Sequence, residues 1–259
     1  MSRFAAARSF VRKLTIPRGR WYFEVIGAVI GYEVYDFIQA RTSGDADEAN
    51  ASGHDIYNAE KALHLNPEHA FNSFTTHHDA LAIVSGYWYG LAHVTVTACV
   101  LAYIFARRPH AYARLRTGLV ALSLIGLMVF WRYPVAPPRF VVGGLTDTLY
   151  VHDILGAAHL HKGLVNLYAA MPSLHMAWST WCACAIVSTL PNTLRARHLA
   201  WIYPILMCCD VLMTANHYFF DIVAGVALTA LVIPFYWPER ATAAVAPEPA
   251  HHALALETA

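Results

Sequence analysis

Five long apolar runs, near residues 81–106, 115–133, 172–190, 198–215 and 219–237, constrain this chain more than anything else in it. Each approaches or exceeds the ~20 residues that carry a helix across a bilayer. The rest of the composition agrees: of 259 residues, 57% are hydrophobic and only 14% charged, and mean hydropathy is +0.39. A sixth, weaker run near 21–40 carries Glu24, Glu33 and Asp36. If it spans, those carboxylates must face protein or water, because hydrocarbon cannot solvate them. The pattern predicts an all-α polytopic membrane protein, a six-transmembrane-helix bundle over 21–238.

Charge distribution predicts the orientation. Residues 1–20 carry six basic residues and no acid, which reads as a basic cytoplasmic flank. Of the eighteen Lys and Arg, thirteen fall on one set of alternate segments and five on the other, as expected for six spans with both termini in the cytoplasm. The 41–80 connection is then extracytoplasmic. Within it, residues 54–66 show helical spacing, with Ile56, Ala59 and Leu63 on an apolar stripe, Glu60 and Lys61 off it, and Pro67 as a stop. An interfacial helix capping the bundle is expected there. Residues 239–259, rich in Ala, Pro and Glu, read as a disordered cytoplasmic tail.

Three polar motifs interrupt the apolar pattern: Arg132-Tyr-Pro-Val-Ala-Pro-Pro-Arg139, Met171-Pro-Ser-Leu-His175 and His217-Tyr-Phe-Phe-Asp221. In the six-span arrangement they meet on one, extracytoplasmic, face of the membrane. His217 and Asp221, four apart, share a helix face. A carboxylate on one ring nitrogen prepares the other as a nucleophile, although alone such a pair equally describes a tie between helices. Pro172 suits the first turn of a helix, where free N–H groups and the Ser173 hydroxyl favour a phosphate, and His175 stands beside them as a candidate general acid. Prolines 134, 137 and 138 force the segment between Arg132 and Arg139 out of helical geometry, and the two guanidiniums match phosphate oxygens.

In order, internal spacing and position at span ends, these motifs resemble the signatures of the type 2 phosphatidic acid phosphatase superfamily: Lys-x6-Arg-Pro, Pro-Ser-Gly-His and Ser-Arg-x5-His-x3-Asp. The match covers roughly residues 80–237. Arg132, Leu174 and Val211 replace the family's lysine, glycine and arginine. The wording around Arg139 and His217 is similar to the inositol phosphorylceramide synthase branch. The resemblance implies a metal-independent lipid phosphate phosphatase or phosphotransferase that needs no cofactor. Its phosphohistidine would form on His217, with Asp221 as partner and His175 as acid. Arg139, Arg132, Ser173 and, in place of the lost arginine, Asn216 would bind the phosphate. The implied substrate is a phospholipid, polyprenyl phosphate or phosphoinositol lipid, with an alcohol acceptor if the reaction is a transfer. No nucleic-acid partner is expected, and the setting is the plasma (inner) membrane. A protein of the same fold that binds or translocates lipid phosphates without chemistry is the alternative that Leu174 and Val211 leave open.

Other residues take plainer readings. His77-His78 lacks the further His clusters of a di-iron oxygenase. His152, His159 and His161 belong to a solvated loop, and His93 is expected to make a buried hydrogen bond. The five cysteines fall inside apolar runs and read as small packing residues.

Overall fold

The computed structural model describes residues 21–41, 45–157 and 166–237. The basic flank, the tail, His159 and His161 lie outside the described residues. Among the described residues there are helices, turns and one isolated parallel bridge, between Val135 and Ala169. In chain order the α-helices are α1 Trp21–Arg41, α2 Ala46–Ala62, α3 Glu68–Thr76, α4 Asp79–Arg107 and α5 Pro109–Arg132. The short turns α6 Pro138–Val141 and α7 Thr148–Val151 come next, then α8 Leu174–Thr189, α9 Ile202–Met213 and α10 Phe219–Tyr236. A 3-10 segment, Arg195–Trp201, leads into α9.

Four helical stretches are long and apolar enough to cross a membrane: Asp79–Arg107, Pro109–Arg132, Arg195–Met213 and Phe219–Tyr236. The other two predicted spans are helical but fall short on these criteria. The 172–190 run yields a helix of 16 residues, because Pro172 and Ser173 are spent on the entry turn and cap. The 21 residues of α1 are diluted by their charges. Glu24 faces protein as expected, in a 2.5 Å ion pair with Arg116 of α5 and within 3.1 Å of the Tyr112 hydroxyl. Glu33 is exposed. This is an integral membrane protein, with the broad apolar faces of α4, α5, α9 and α10 turned outward.

The hub is α8, which packs against α4, α5, α9 and α10. Trp181, fully buried, anchors the main core with Leu115, Leu122, Phe130, Ala177 and Leu228. Polar groups on α8 tie it to its neighbours. The Trp181 indole donates to the Leu115 carbonyl at 3.2 Å, the Trp178 indole to Ser123 Oγ at 3.0 Å, and Thr229 Oγ1 donates to the Ala177 carbonyl at 3.0 Å. Such interhelical bonds contribute about 0.6 kcal/mol each in a membrane, so they orient the helices more than they hold them. Where α8 and α10 cross, Gly225 leaves room for the Ser173 carbonyl; a Cβ there would stand well inside 3.0 Å of that oxygen.

The hairpin of α2 and α3 covers one end of the bundle, but of the predicted stripe α2 buries only Ile56. Its buried face is Ala49, Ser52, Gly53, Ile56 and Glu60, whereas Leu63 is 60% exposed. Gly53 is where α2 comes closest to its support: a Cβ there would meet the Ala136 carbonyl and the Tyr218 hydroxyl, each at 2.8 Å.

Candidate active site

Three loops meet beneath that hairpin, and backbone hydrogen bonds weld them together. Val135 N–H donates to the Tyr168 carbonyl at 2.9 Å, and Ala170 N–H to the Val135 carbonyl at 3.2 Å. Arg139 N–H donates to the Ala215 carbonyl at 3.2 Å, and Ser173 N–H to the Asp221 carbonyl at 3.0 Å. The segments containing Arg139, His175 and His217 thus sit side by side at one end of the bundle. Ala215 adopts a left-handed φ of 52°, a conformation of about 1 kcal/mol or more for a non-glycine residue. It turns the chain sharply between α9 and α10 so that Asn216 and His217 face inward.

His217 is 3% exposed and Asp221 0%. The His217 Nδ1 position lies 2.9 Å from the Ala170 carbonyl and 3.3 Å from Asp221 Oδ2. Both neighbours are acceptors, so Nδ1 carries the proton and Nε2 presents its lone pair. Asp221 Oδ2 is itself held by the Tyr218 N–H at 2.9 Å. Tyr218 is fully buried and donates its hydroxyl to the Ala136 carbonyl at 3.1 Å. Burial pushes its phenol pKa up, keeping it a neutral donor.

His175 lies across from His217, with ring centroids 5.7 Å apart. Tyr89 of α4 stacks on His175 at 4.1 Å and 21°, and His93 meets the same ring edge-on at 4.3 Å. The Tyr89 carbonyl accepts from His93 Nδ1 at 3.1 Å and also faces His175. The Nε2 atoms of His175 and His217 are both buried without a protein partner. Neither nitrogen is spent on a bond within the protein.

Ser173 caps α8: its Oγ accepts from Met176 N–H at 3.3 Å, leaving the hydroxyl proton for another acceptor. Arg139 is held from two sides, donating Nε–H to Asp147 Oδ2 at 2.9 Å and an Nη1 proton to Asn216 Oδ1. Asn216 spends its carbonyl oxygen on Arg139 and its amide on the Thr214 carbonyl at 3.3 Å. Asn72 of α3 clamps the loop carrying Asp147, exchanging two bonds with Thr146 at 2.8 and 3.0 Å and donating to the Met213 carbonyl at 2.9 Å. Arg132 stands exposed at the end of α5, outside this network.

Two of the three substituted motif positions also have physical accounts. Leu174 occupies a notch on α5 at Gly126, where a Cβ would meet its Cδ2 at 2.6 Å. Val211 is fully buried among Ala92, Met176, Met207 and Ile222, with no opening for a cation. His77 and His78 are exposed and turn their Nδ1 atoms to the carbonyls of Ser73 and Phe74 at 2.6 and 2.8 Å. Tyr89, Asp147, Ala170 and Asn72 were absent from the sequence reading; a backbone carbonyl and partners on distant helices leave no spacing signal.

Comparison with known proteins agrees with this geometry. The chain is 24% identical over 177 residues to the inositol phosphorylceramide synthase catalytic subunit aur1 of Schizosaccharomyces pombe, a match covering 62% of this chain and 41% of that protein. The chain thus spans well under two thirds of that relative's length. It is 22% identical over 220 residues to the phosphoinositol dihydroceramide synthase of Bacteroides thetaiotaomicron, covering 76% of this chain and 70% of the relative. No solved structure matches. The model of one family, described as the PAP2 superfamily, matches residues 54–235 and so takes in all three converging motifs. With that span of the chain matched, this protein belongs to the PAP2 superfamily.

Proposed function

We propose that this protein is a membrane phosphotransferase that moves the phosphate-bearing headgroup of a phospholipid to a lipid alcohol through a phosphohistidine on His217. The observation that carries the reading is the pair of buried, unpartnered Nε2 atoms on facing imidazoles, with the Arg139 guanidinium anchored to the residue before His217. In the first step His217 Nε2 bonds to phosphorus while the bond to the leaving lipid oxygen breaks, and His175 gives that oxygen its proton. The Ala170 carbonyl and Asp221 hold the Nδ1 proton and stabilise the charge the ring acquires. In the second step the acceptor hydroxyl gives its proton to His175 and attacks phosphorus. The phosphorus–nitrogen bond breaks, and both histidines return to their starting states.

Arg139 and the Ser173 hydroxyl hold the phosphate oxygens in this reading, Asn216 keeps Arg139 aimed, and exposed Arg132 meets the headgroup from outside. Val211 removes one cation and Asp147 offsets part of the charge of Arg139. A doubly charged phosphomonoester is poorly balanced by such a site, and a singly charged phosphodiester suits it better. The relatives' names support a phosphoinositol donor and a ceramide-type acceptor. The alternation of basic residues supports six spans, cytoplasmic termini and a site on the extracytoplasmic face.

The test uses purified protein in detergent with head-group-labelled phosphatidylinositol, with and without ceramide. Label should move to ceramide, and His217→Gln should abolish the transfer while the protein stays folded. Full activity in that variant would refute the mechanism, and label released only to water would make the protein a hydrolase.

A further inference from the structure

The hairpin of α2 and α3 brings two more carboxyls to the back of the His217–Asp221 pair. Glu60 and Glu68 are both 0% exposed. Glu60 Oε1 accepts the Phe220 N–H at 2.5 Å, one of the donors that the first turn of α10 cannot satisfy internally. The N–H of the capping residue, Tyr218, goes to Asp221. Two carboxyls therefore grip one turn back to back. Glu60 Oε2, both oxygens of Glu68 and Asp221 Oδ1 are buried without a protein partner.

The groups around Glu60 offer it no counter-charge. Glu68 faces it from α3 and Asp221 from α10, and the phenols of Tyr218 and Tyr57 lie alongside. The Tyr57 hydroxyl is bonded to His69 Nε2 at 3.2 Å. Arg139, on the turn packed against α2, is committed to Asp147 and Asn216, His217 to Ala170 and Asp221, and Lys61 is exposed. Nor do His, Cys, Asp or Glu side chains among the described residues form a group that could hold a metal ion. Three ionised carboxylates cannot share such a place. Burial, reinforced by Glu68 and Asp221, raises the pKa of Glu60 to about 8, and burial raises that of Glu68 as well.

We propose that Glu60 is a positioning residue: its neutral carboxyl anchors the first turn of α10 and holds Asp221 in register with His217. The proposal rests on the phosphohistidine reading and deepens it. With a proton on Oε2, Glu60 carries no charge to set against Asp221, and the cluster keeps Asp221 as the carboxylate serving His217. Loss of that proton sets like charges against each other across the turn and moves Asp221 off its ring nitrogen.

The experiment compares wild type, Glu60→Ala and Glu60→Gln. The alanine variant should lose kcat by about tenfold or more with KM little changed, and glutamine, which keeps the acceptor and a fixed donor, should rescue it near neutrality. Above pH ~8, wild-type kcat should fall relative to the glutamine variant by about tenfold per pH unit. Identical pH profiles, or a glutamine variant as impaired as alanine, would overturn the proposal. Thermal unfolding gives a reading that needs no turnover. The folded protein retains the Glu60 proton that the unfolded chain releases between about pH 4.5 and about pH 8, so wild-type stability should fall relative to Glu60→Gln as pH rises through that window. Parallel stability profiles overturn the role of Glu60 even if no lipid is turned over, whereas absent turnover with diverging profiles counts against the phosphotransferase reading alone.

Discussion

Replacing Gly225 by Ala would place a methyl group against the carbonyl of Ser173, well inside the 3.0 Å that real Cβ atoms respect. The same methyl would lie 3.1 Å from Met176 Cβ and 3.3 Å from the Ala177 nitrogen, so it cannot slide along α8 to escape. Because the obstacle is backbone, no rotamer change relieves it, and α10 must move away from α8 by something on the order of 1 Å. Overpacking of this kind costs about 1–3 kcal/mol, or about 2–4 °C in unfolding midpoint for each kcal/mol in a chain of this size. The displacement also separates Asp221 and His217 from His175, and a misplacement of about 1 Å lowers turnover by about a hundredfold. Differential scanning fluorimetry in detergent and a headgroup-transfer assay read the two effects on one sample. Gly27→Ala is the control: nothing lies within 4 Å of its Cβ position, and it should be neutral or stabilising by up to about 1 kcal/mol. A Gly225→Ala protein with wild-type midpoint and rate would refute the close-crossing account.

Two further outcomes follow from the site. Arg139→Ala should lower kcat/KM by about a hundredfold or more, and lysine should not restore it, since an ammonium cannot hold Asp147, Asn216 and a phosphate oxygen in one plane; Arg132→Ala should stay within about tenfold, and steady-state kinetics on the three variants decide the ranking. Asn72→Ala removes three hydrogen bonds and strands backbone groups of Thr146 and Met213, so unfolding measurements should show a loss of about 2–4 kcal/mol, and a loss below about 1 kcal/mol would contradict the clamp.

Much of the site was legible because its parts are local in sequence. A histidine and an aspartate four apart, a proline–serine pair opening an apolar run, and an arginine behind two prolines each announce themselves by spacing. What they meet was not legible. Asp147 reaches Arg139 from a loop whose course depends on Asn72, and the Ala170 carbonyl that orients His217 has no side-chain signature. The fold shows the same division. Apolar runs located the helices well, yet run length overstates helix length where residues are diverted to caps, as at Ser173. The face of α2 differs from its apolar spacing for a specific reason: Glu60, off the stripe in sequence, is buried with its oxygen on a helix N-terminus. Leu174 likewise departs from the family motif in sequence, and only the notch at Gly126 explains how it fits.

The bond from Ser173 N–H to the Asp221 carbonyl joins the start of α8 to the start of α10, the last described helix of the chain. During synthesis α8 is made before α10. Until α10 arrives, His175 has no His217 opposite it, and Arg139 lacks both the Ala215 carbonyl and the Asn216 side chain that fix it. The three motif segments therefore come together only once the turn between α9 and α10 has closed against the start of α8.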